Sequence, residues 1–318
     1  MLEKIAESII TNKNIIEKQA IRSIIQDIES NTFKSARVFS DIGEDAASIK
    51  NKNEILTLIT TDRIKTSFIE NFPYGAGFSS ILVGVDDIYA CGGVPIAASI
   101  ILSFKDKKIG NQIIEGICEG SRKFKVPIVR GHTNINYSYE LSSTVIGEIE
   151  FDNYISSKNA QNNDDIILAV DFDGKIGKAN RMYWDTTTFK TSDTVLSKRK
   201  SMNIIAKSQL AHSSKDISNS GIFGTAIQLA HFSKKGVNID ITDIIIPPIL
   251  VTEQYGIIDY AQMFLTTSFI LTAPKENSEK IINIFKDHSM NACKIGQILE
   301  ENCLYLSEKQ KQVKVMDL

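Results

Sequence analysis

Ser40-Asp41-Ile42-Gly43-Glu44-Asp45-Ala46-Ala47 reads as a flexible acidic turn, and it opens a stretch ending at Pro95 in which carboxylates arrive three times. The apolar run Ile55-Leu56-Thr57-Leu58-Ile59 leads into Thr60-Thr61-Asp62, so a second carboxylate stands where a buried strand should end. The third site lies in Gly77-Phe78-Ser79-Ser80-Ile81-Leu82-Val83-Gly84-Val85-Asp86-Asp87-Ile88-Tyr89-Ala90-Cys91-Gly92-Gly93, an apolar helical run. An acid pair in such a run is costly unless something offsets its burial. Carboxylates brought together from separate elements, with hydroxyls nearby, are the oxygen ligands Mg²⁺ uses when it also holds phosphates.

Outward from this stretch, residues 1–30 carry isoleucines at helical spacing, which predicts one helix or two short ones. Residues 54–61 and 96–104 read as strands and 109–124 as a helix. A short strand, Pro127-Ile128-Val129, is expected to feed a polar loop, Arg130-Gly131-His132-Thr133-Asn134. After a strand over 141–148, the polar run 156–163 suggests a domain boundary, dividing the chain into 1–155 and 156–318. The second half predicts a strand over 166–170, an irregular segment over 171–193 holding Trp184, and helices over 195–209 and 222–233. A strand over 264–272, a helix over 276–288 and short terminal strands complete it. Such alternation indicates an α/β chain of α plus β layers, with helices covering sheet faces.

At 318 residues, with 42% apolar and 23% charged content, the chain can bury a sizeable core. A net charge of −2 supplies no field for nucleic acid, and Lys198-Arg199-Lys200 reads as solvated surface. The four cysteines, Cys91, Cys118, Cys293 and Cys303, lack ligand spacing and fit reduced thiols. The amino terminus has acids where a signal peptide would be apolar, so a cytoplasmic location with no membrane partner is expected.

Neither a P-loop nor a dinucleotide fingerprint is present, and G-x-S-x-G and H-E-x-x-H are absent too. His212, His231 and His288 read as surface or structural residues. Plainer roles stand beside the metal reading: Asp41 and Asp45 as turn residues, Asp62 as a strand-end acid, and Asp216 as a helix N-cap. Asp86 is expected in solvent, because it points about 100° away from Asp87 around a helix. Asp87 is the acid hardest to explain without a cation.

Taken in order, Gly43-Glu44-Asp45-Ala46-Ala47, Thr60-Thr61-Asp62, the run from Val83 to Pro95, and Asp216-Ile217-Ser218-Asn219-Ser220-Gly221 resemble the motifs of the aminoimidazole ribonucleotide (AIR) synthetase superfamily. That group includes thiamine-monophosphate kinase and selenophosphate synthetase. The resemblance implies two α/β domains, an N-terminal sheet that forms a barrel in a homodimer, a C-terminal α/β sandwich, and ATP bound with Mg²⁺ in an acidic groove. It places metal ligands at Asp45, Thr60, Thr61, Asp62, Asp87 and Asp216. Nucleotide contacts fall at Gly43, Gly131, His132, Thr133, Ser218 and Asn219, with His132 also a candidate catalytic residue.

Two positions depart from the kinase branch. Arg130-Gly131-His132-Thr133 replaces Gly-Gly-Asp-Thr, and Asn219 replaces an aspartate. The Gly-His-Thr-Asn form, with Lys215-Asp216-Ile217-Ser218, is similar to the AIR synthase-related, or selenophosphate synthetase-related, branch. The expected function is an ATP- and Mg²⁺-dependent enzyme that activates or phosphorylates a small molecule whose identity the sequence does not give. The competing expectations are a catalytically silent nucleotide-binding protein, or an activity like thiamine-monophosphate kinase or selenophosphate synthetase. Against the last, the first cysteine is Cys91, inside an apolar helix.

Overall fold

The computed structural model describes residues 1–135, 138–178 and 180–318. The chain opens with helices α1 (Leu2–Ile10), α2 (Lys13–Ala20) and α3 (Arg22–Asn31). There follow β1 (Val38–Ser40), β2 (Ala47–Lys50), β3 (Ile55–Arg63), α4 (Thr66–Asn71), α5 (Pro73–Ala90), β4 (Val94–Phe104), α6 (Lys107–Phe124), β5 (Ile128–Ile135) and β6 (Glu140–Glu150). The second half runs β7 (Asp165–Val170), β8 (Lys175–Ile176), β9 (Tyr183–Asp185), α7 (Ser192–Lys207), β10 (Ser213–Asp216), α8 (Gly221–Ser233) and β11 (Gly236–Asp240). It ends with α9 (Pro248–Thr252), α10 (Ile257–Ala261), β12 (Phe264–Leu265), β13 (Ser268–Ala273), α11 (Lys275–Asp287), β14 (Asn291–Leu299), β15 (Cys303–Glu308) and β16 (Lys311–Asp317).

The first sheet has six strands in the order β1-β2-β3-β6-β4-β5, and only the outermost pair, β4 and β5, is parallel. The second has seven, β10-β13-β7-β14-β11-β15-β16, and β8, β9 and β12 form a small third sheet. Local chemistry sets the helix ends. Pro73 occupies the first turn of α5, where its missing N–H costs nothing, and the Asp106 side chain caps α6 by accepting from Ile109 N at 2.9 Å. α5 and α6 pack on one face of the first sheet and bury Ile81, Leu82, Val85, Ile113 and Ile117. α1 instead lays Leu2, Ile5 and Ile9 against the core of the second sheet, so the amino terminus reaches across the molecule. No helix of the described residues is long and apolar enough to cross a membrane.

Several expectations change. The polar loop expected at 130–134 is part of β5, an edge strand whose outer side has no partner among the described residues. The segment 171–193 is not wholly irregular, because β8 and β9 lie within it and Trp184 is fully buried, its Nε1 donating to Asp171 O at 2.8 Å. Lys198-Arg199-Lys200 is not a solvated cluster: Lys198 and Arg199 are buried and only Lys200 is exposed. Lys198 pairs with Asp171 at 3.0 Å, and Arg199 pairs with Asp86 at 2.7 Å. Asp86 is therefore buried rather than solvated, and a third packed element, α7, supplies the base that a helical projection of α5 alone omits.

Candidate functional site

Along β3, side chains alternate between faces, so Thr60 joins Leu56 and Leu58 on the side that meets α5. Thr61 points the other way, its hydroxyl 3.0 Å from that of Thr144 on β6. Close approach of α5 to this face depends on Gly84, where a Cβ would stand 2.5 Å from a methyl of Val145 and 3.3 Å from that of Thr60. Asp87 lies one turn further along α5, and the Thr60 hydroxyl donates to its carboxylate at 2.5 Å. Asp62, two residues along the same strand face, lies 3.4 Å from the Thr60 hydroxyl.

Asp45 arrives from the acidic turn between β1 and β2. Gly43 takes φ +101° there, with its Cα against the Phe232 ring of α8. Glu44 fastens this turn to the domain junction, because its fully buried carboxylate accepts from Ser156 Oγ at 2.7 Å and Ser157 N at 2.6 Å. Asp41 pairs with Lys158 at 3.2 Å beside it. Asp216 comes from the end of β10. It caps no helix, since α8 starts only at Gly221 with Ser220 as its N-cap, so the N-cap role expected for Asp216 gives way to a place in the site. Oxygens of Asp45, Asp87 and Asp216 all lie within 4.8 Å of one another.

Two lysines enter this acid cluster, and the sequence alone gives neither a role. Lys215 Nζ contacts Asp45 Oδ1, and Asp216 N donates to Asp45 Oδ2 at 3.0 Å. Lys18 of α2 reaches Ser218 Oγ at 3.1 Å and Ser220 Oγ at 3.3 Å. The only signal for Lys215 in the sequence is its place directly before Asp216, and the polar residues around it conceal that the strand is buried.

The electrostatics are those of an acid cluster short of positive charge. Burial, and then the charges of Asp62, Asp216 and Asp45, push the Asp87 carboxyl well above its ordinary range. Burial and the charge of Asp45 do the same to Asp216, and burial raises Asp62. Burial disfavours the charged form of Lys215, but Asp45 outweighs it and holds that ammonium above its usual value. For Lys18, burial and the neighbouring Lys215 win, and its value falls. Oxygen-only donors drawn from four separate elements, strained by their own repulsion, suit a hard divalent cation such as Mg²⁺.

Ser218 stands beside the cluster through Lys18, while Asn219 is exposed and its backbone carbonyl accepts from Asn14 Nδ2 at 2.8 Å. Gly131, His132 and Thr133 are not brought to the acids. They sit on β5 opposite Ile100, Ile101 and Leu102, three strands from β3. Thr186 and Thr187 are buried, and the Asp185 carboxylate accepts from Thr187 N and Thr188 N at 2.9 and 3.0 Å, which makes the turn after β9 a fixed one.

Residues 43–149 match the N-terminal domain of the AIR synthase related proteins, and residues 184–307 match the C-terminal domain. An uncharacterized protein of Methanocaldococcus jannaschii is 34% identical over 99% of this chain and 97% of its own length. Among solved structures, a ThiL complexed with AMPPCP and TMP superposes with a TM-score of 0.68 at 20% identity, covering 93% of this chain and 97% of the other. Thermotoga maritima PurL complexed with ATP gives 0.72 at 13% identity over 88% of this chain. The chain spans about half the length of that PurL, 47%. At these identities the two structures show a shared two-domain fold.

Proposed function

This chain belongs to the AIR synthase related protein family, and we propose that it is an ATP- and Mg²⁺-dependent enzyme that activates an oxygen of a small molecule by phosphoryl transfer. The observation that carries the proposal is the convergence of Asp45, Asp87 and Asp216 from a turn, a helix and a strand. Such a cluster has no structural need to exist, since three acids crowded together with little access to solvent repel one another. Mg²⁺ would supply charge neutralisation at the phosphates, and phosphoryl transfer asks for little else than that and positioning. Asp87, Asp216 and Asp62 would hold the ion, with Asp45 completing the acid cluster beside them, and Thr60 would orient Asp87. Lys18, with the Ser218 and Ser220 hydroxyls, presents donors beside the acids where phosphate oxygens would lie. The selenide, water dikinase of Pelobacter propionicus, 29% identical over 39% of this chain, and the ATP complex of PurL support ATP as the donor.

A homodimer formed through the first sheet, a division of the chain near residue 155 and a location in the reducing cytoplasm complete the reading. The test is ADP release from MgATP with a panel of small hydroxy, amino and carboxylate metabolites. Turnover with one of them supports an enzyme. Tight MgATP binding with no turnover across the panel favours the silent, regulatory alternative, for which the distance of His132 from the acids speaks.

A further inference from the structure

Four carboxylates, Asp45, Asp62, Asp87 and Asp216, share their site with two ammonium groups, Lys18 and Lys215. Counted with every group in its charged form, the ammoniums offset two of the four negative charges, and what is left equals the charge of one divalent cation. The two lysines are not equivalent. Lys18 extends from an amino-terminal helix and is partly exposed, whereas Lys215 is 7% exposed at its side chain and sits on Asp45, itself 5% exposed. Both oxygens of Asp45 thereby have protein donors. Asp216 is 9% exposed, and its carboxylate has no hydrogen-bond donor among the described residues, although it is turned into the cluster.

We propose that Lys215 is a resident counter-cation that permanently neutralises Asp45, so that the acid cluster takes a single divalent ion per chain, on the side of Asp87 and Asp216, before any nucleotide arrives. The proposal rests on the metal-binding reading above. A lysine fixed by a buried carboxylate occupies a charge position that a second ion would otherwise fill, and it repels any ion near Asp45. The consequence is a site tuned to one ion by its own chain.

Mn²⁺ alone, without nucleotide, is the probe. Calorimetric titration and electron paramagnetic resonance of the full chain should give one equivalent, with the spectrum of an isolated ion. Lys215→Met should bind Mn²⁺ at least tenfold more tightly, and its lowered melting midpoint should be recovered by Mn²⁺. Lys215→Arg, which keeps the charge, should stay within threefold of wild type. A purely structural lysine would change the midpoint and leave the affinity alone. Two equivalents in wild type, or an unchanged affinity in folded Lys215→Met, overturns the proposal while leaving the metal reading intact. If Lys215→Met does not fold, the wild-type stoichiometry still decides. Wild type that binds no Mn²⁺ overturns both readings.

Discussion

Arg199 Nε lies 2.7 Å from Asp86 Oδ1, and through this buried pair α7 of the second domain is tied to α5 of the first. The neighbouring residue on α5, Asp87, turns instead to Thr60 of β3 at 2.5 Å. Two consecutive acids thus divide their work: one holds the domains together and the other faces the candidate metal site.

Removing either member of the Asp86–Arg199 pair should be strongly destabilising, because the survivor is left as an uncompensated buried charge, at a cost of about 3–5 kcal/mol. Asp86→Asn and Arg199→Met should each lower the urea midpoint markedly, and the double variant should lose less than the two losses added together. Additive losses would show that the pair does not act as a unit.

Asp87→Asn should behave in the opposite way. The apo protein should be at least as stable as wild type, since a crowded buried carboxylate has gone. At ligand a hundred times its dissociation constant, wild type should gain about 2.7 kcal/mol from MgATP, and the variant should lose most of that gain. Thermal-shift titration with and without Mg²⁺ reads both effects. A full MgATP shift in Asp87→Asn would remove it from the site.

Much of this was legible in the sequence. Apolar runs of strand length and a helix broken by glycine and proline gave β3, α5, β4, α6 and β6 to within a few residues, while β1, β2 and α4 carried too little apolar signal to be read. An acidic turn, a strand end and an apolar helix drew attention to Asp45, Asp62 and Asp87, and the family resemblance added Asp216. What stayed hidden depends on contacts far apart in the chain. Asp86 looked solvated because its partner lies on α7, 113 residues away. Lys215 looked unremarkable because only the fold brings it to Asp45, 170 residues distant. Short β10, with the sequence Ser-Ser-Lys-Asp, carries no apolar signal although all four residues are buried.

The pH dependence of the apo protein should follow from the raised carboxyls. Asp87 and Asp216 have folded-state values above their ordinary 3.8, so the folded state binds protons the unfolded chain has lost. Their contribution is fully present below 3.8 and is lost as pH rises through the folded-state values. Apo stability should therefore fall from mildly acidic pH upward, and saturating Mg²⁺, which favours the charged carboxylates, should flatten the slope. Chemical denaturation from pH 4.5 to 8 with and without the ion measures it. An equal slope in both conditions would count against a cation at these acids.

Gly84→Val tests how the site is positioned. A Cβ there would stand 2.5 Å from Val145, so α5 must move off the sheet and take Asp87 away from Thr60. Overpacking of this kind costs roughly 1–3 kcal/mol. The MgATP shift should weaken by more than that loss of stability alone predicts, and an unchanged shift would show that the Thr60–Asp87 contact is dispensable.

The last expectation is a homodimer through the open side of the first sheet. Ile101 on β4 is 53% exposed, and Val129 and Ile135 on the edge strand β5 are 64% and 77% exposed, an apolar surface at a strand edge that is free among the described residues and invites pairing. His132 lies on the same strand, and at about 4.8 Å per strand it stands roughly 14 Å from β3 within its own chain. For His132 to take part in the chemistry, a second copy has to bring it to the acids. Light scattering at micromolar concentration should therefore give twice the chain mass. The double variant Val129→Lys with Ile135→Lys should give a folded monomer, because neither residue supports the core of its own chain. In that monomer the Mn²⁺ affinity of the acid cluster should persist, since its ligands all come from one chain, while the MgATP shift should shrink if His132 contacts the nucleotide. A wild-type monomer would remove the dimer, and with it any part for His132.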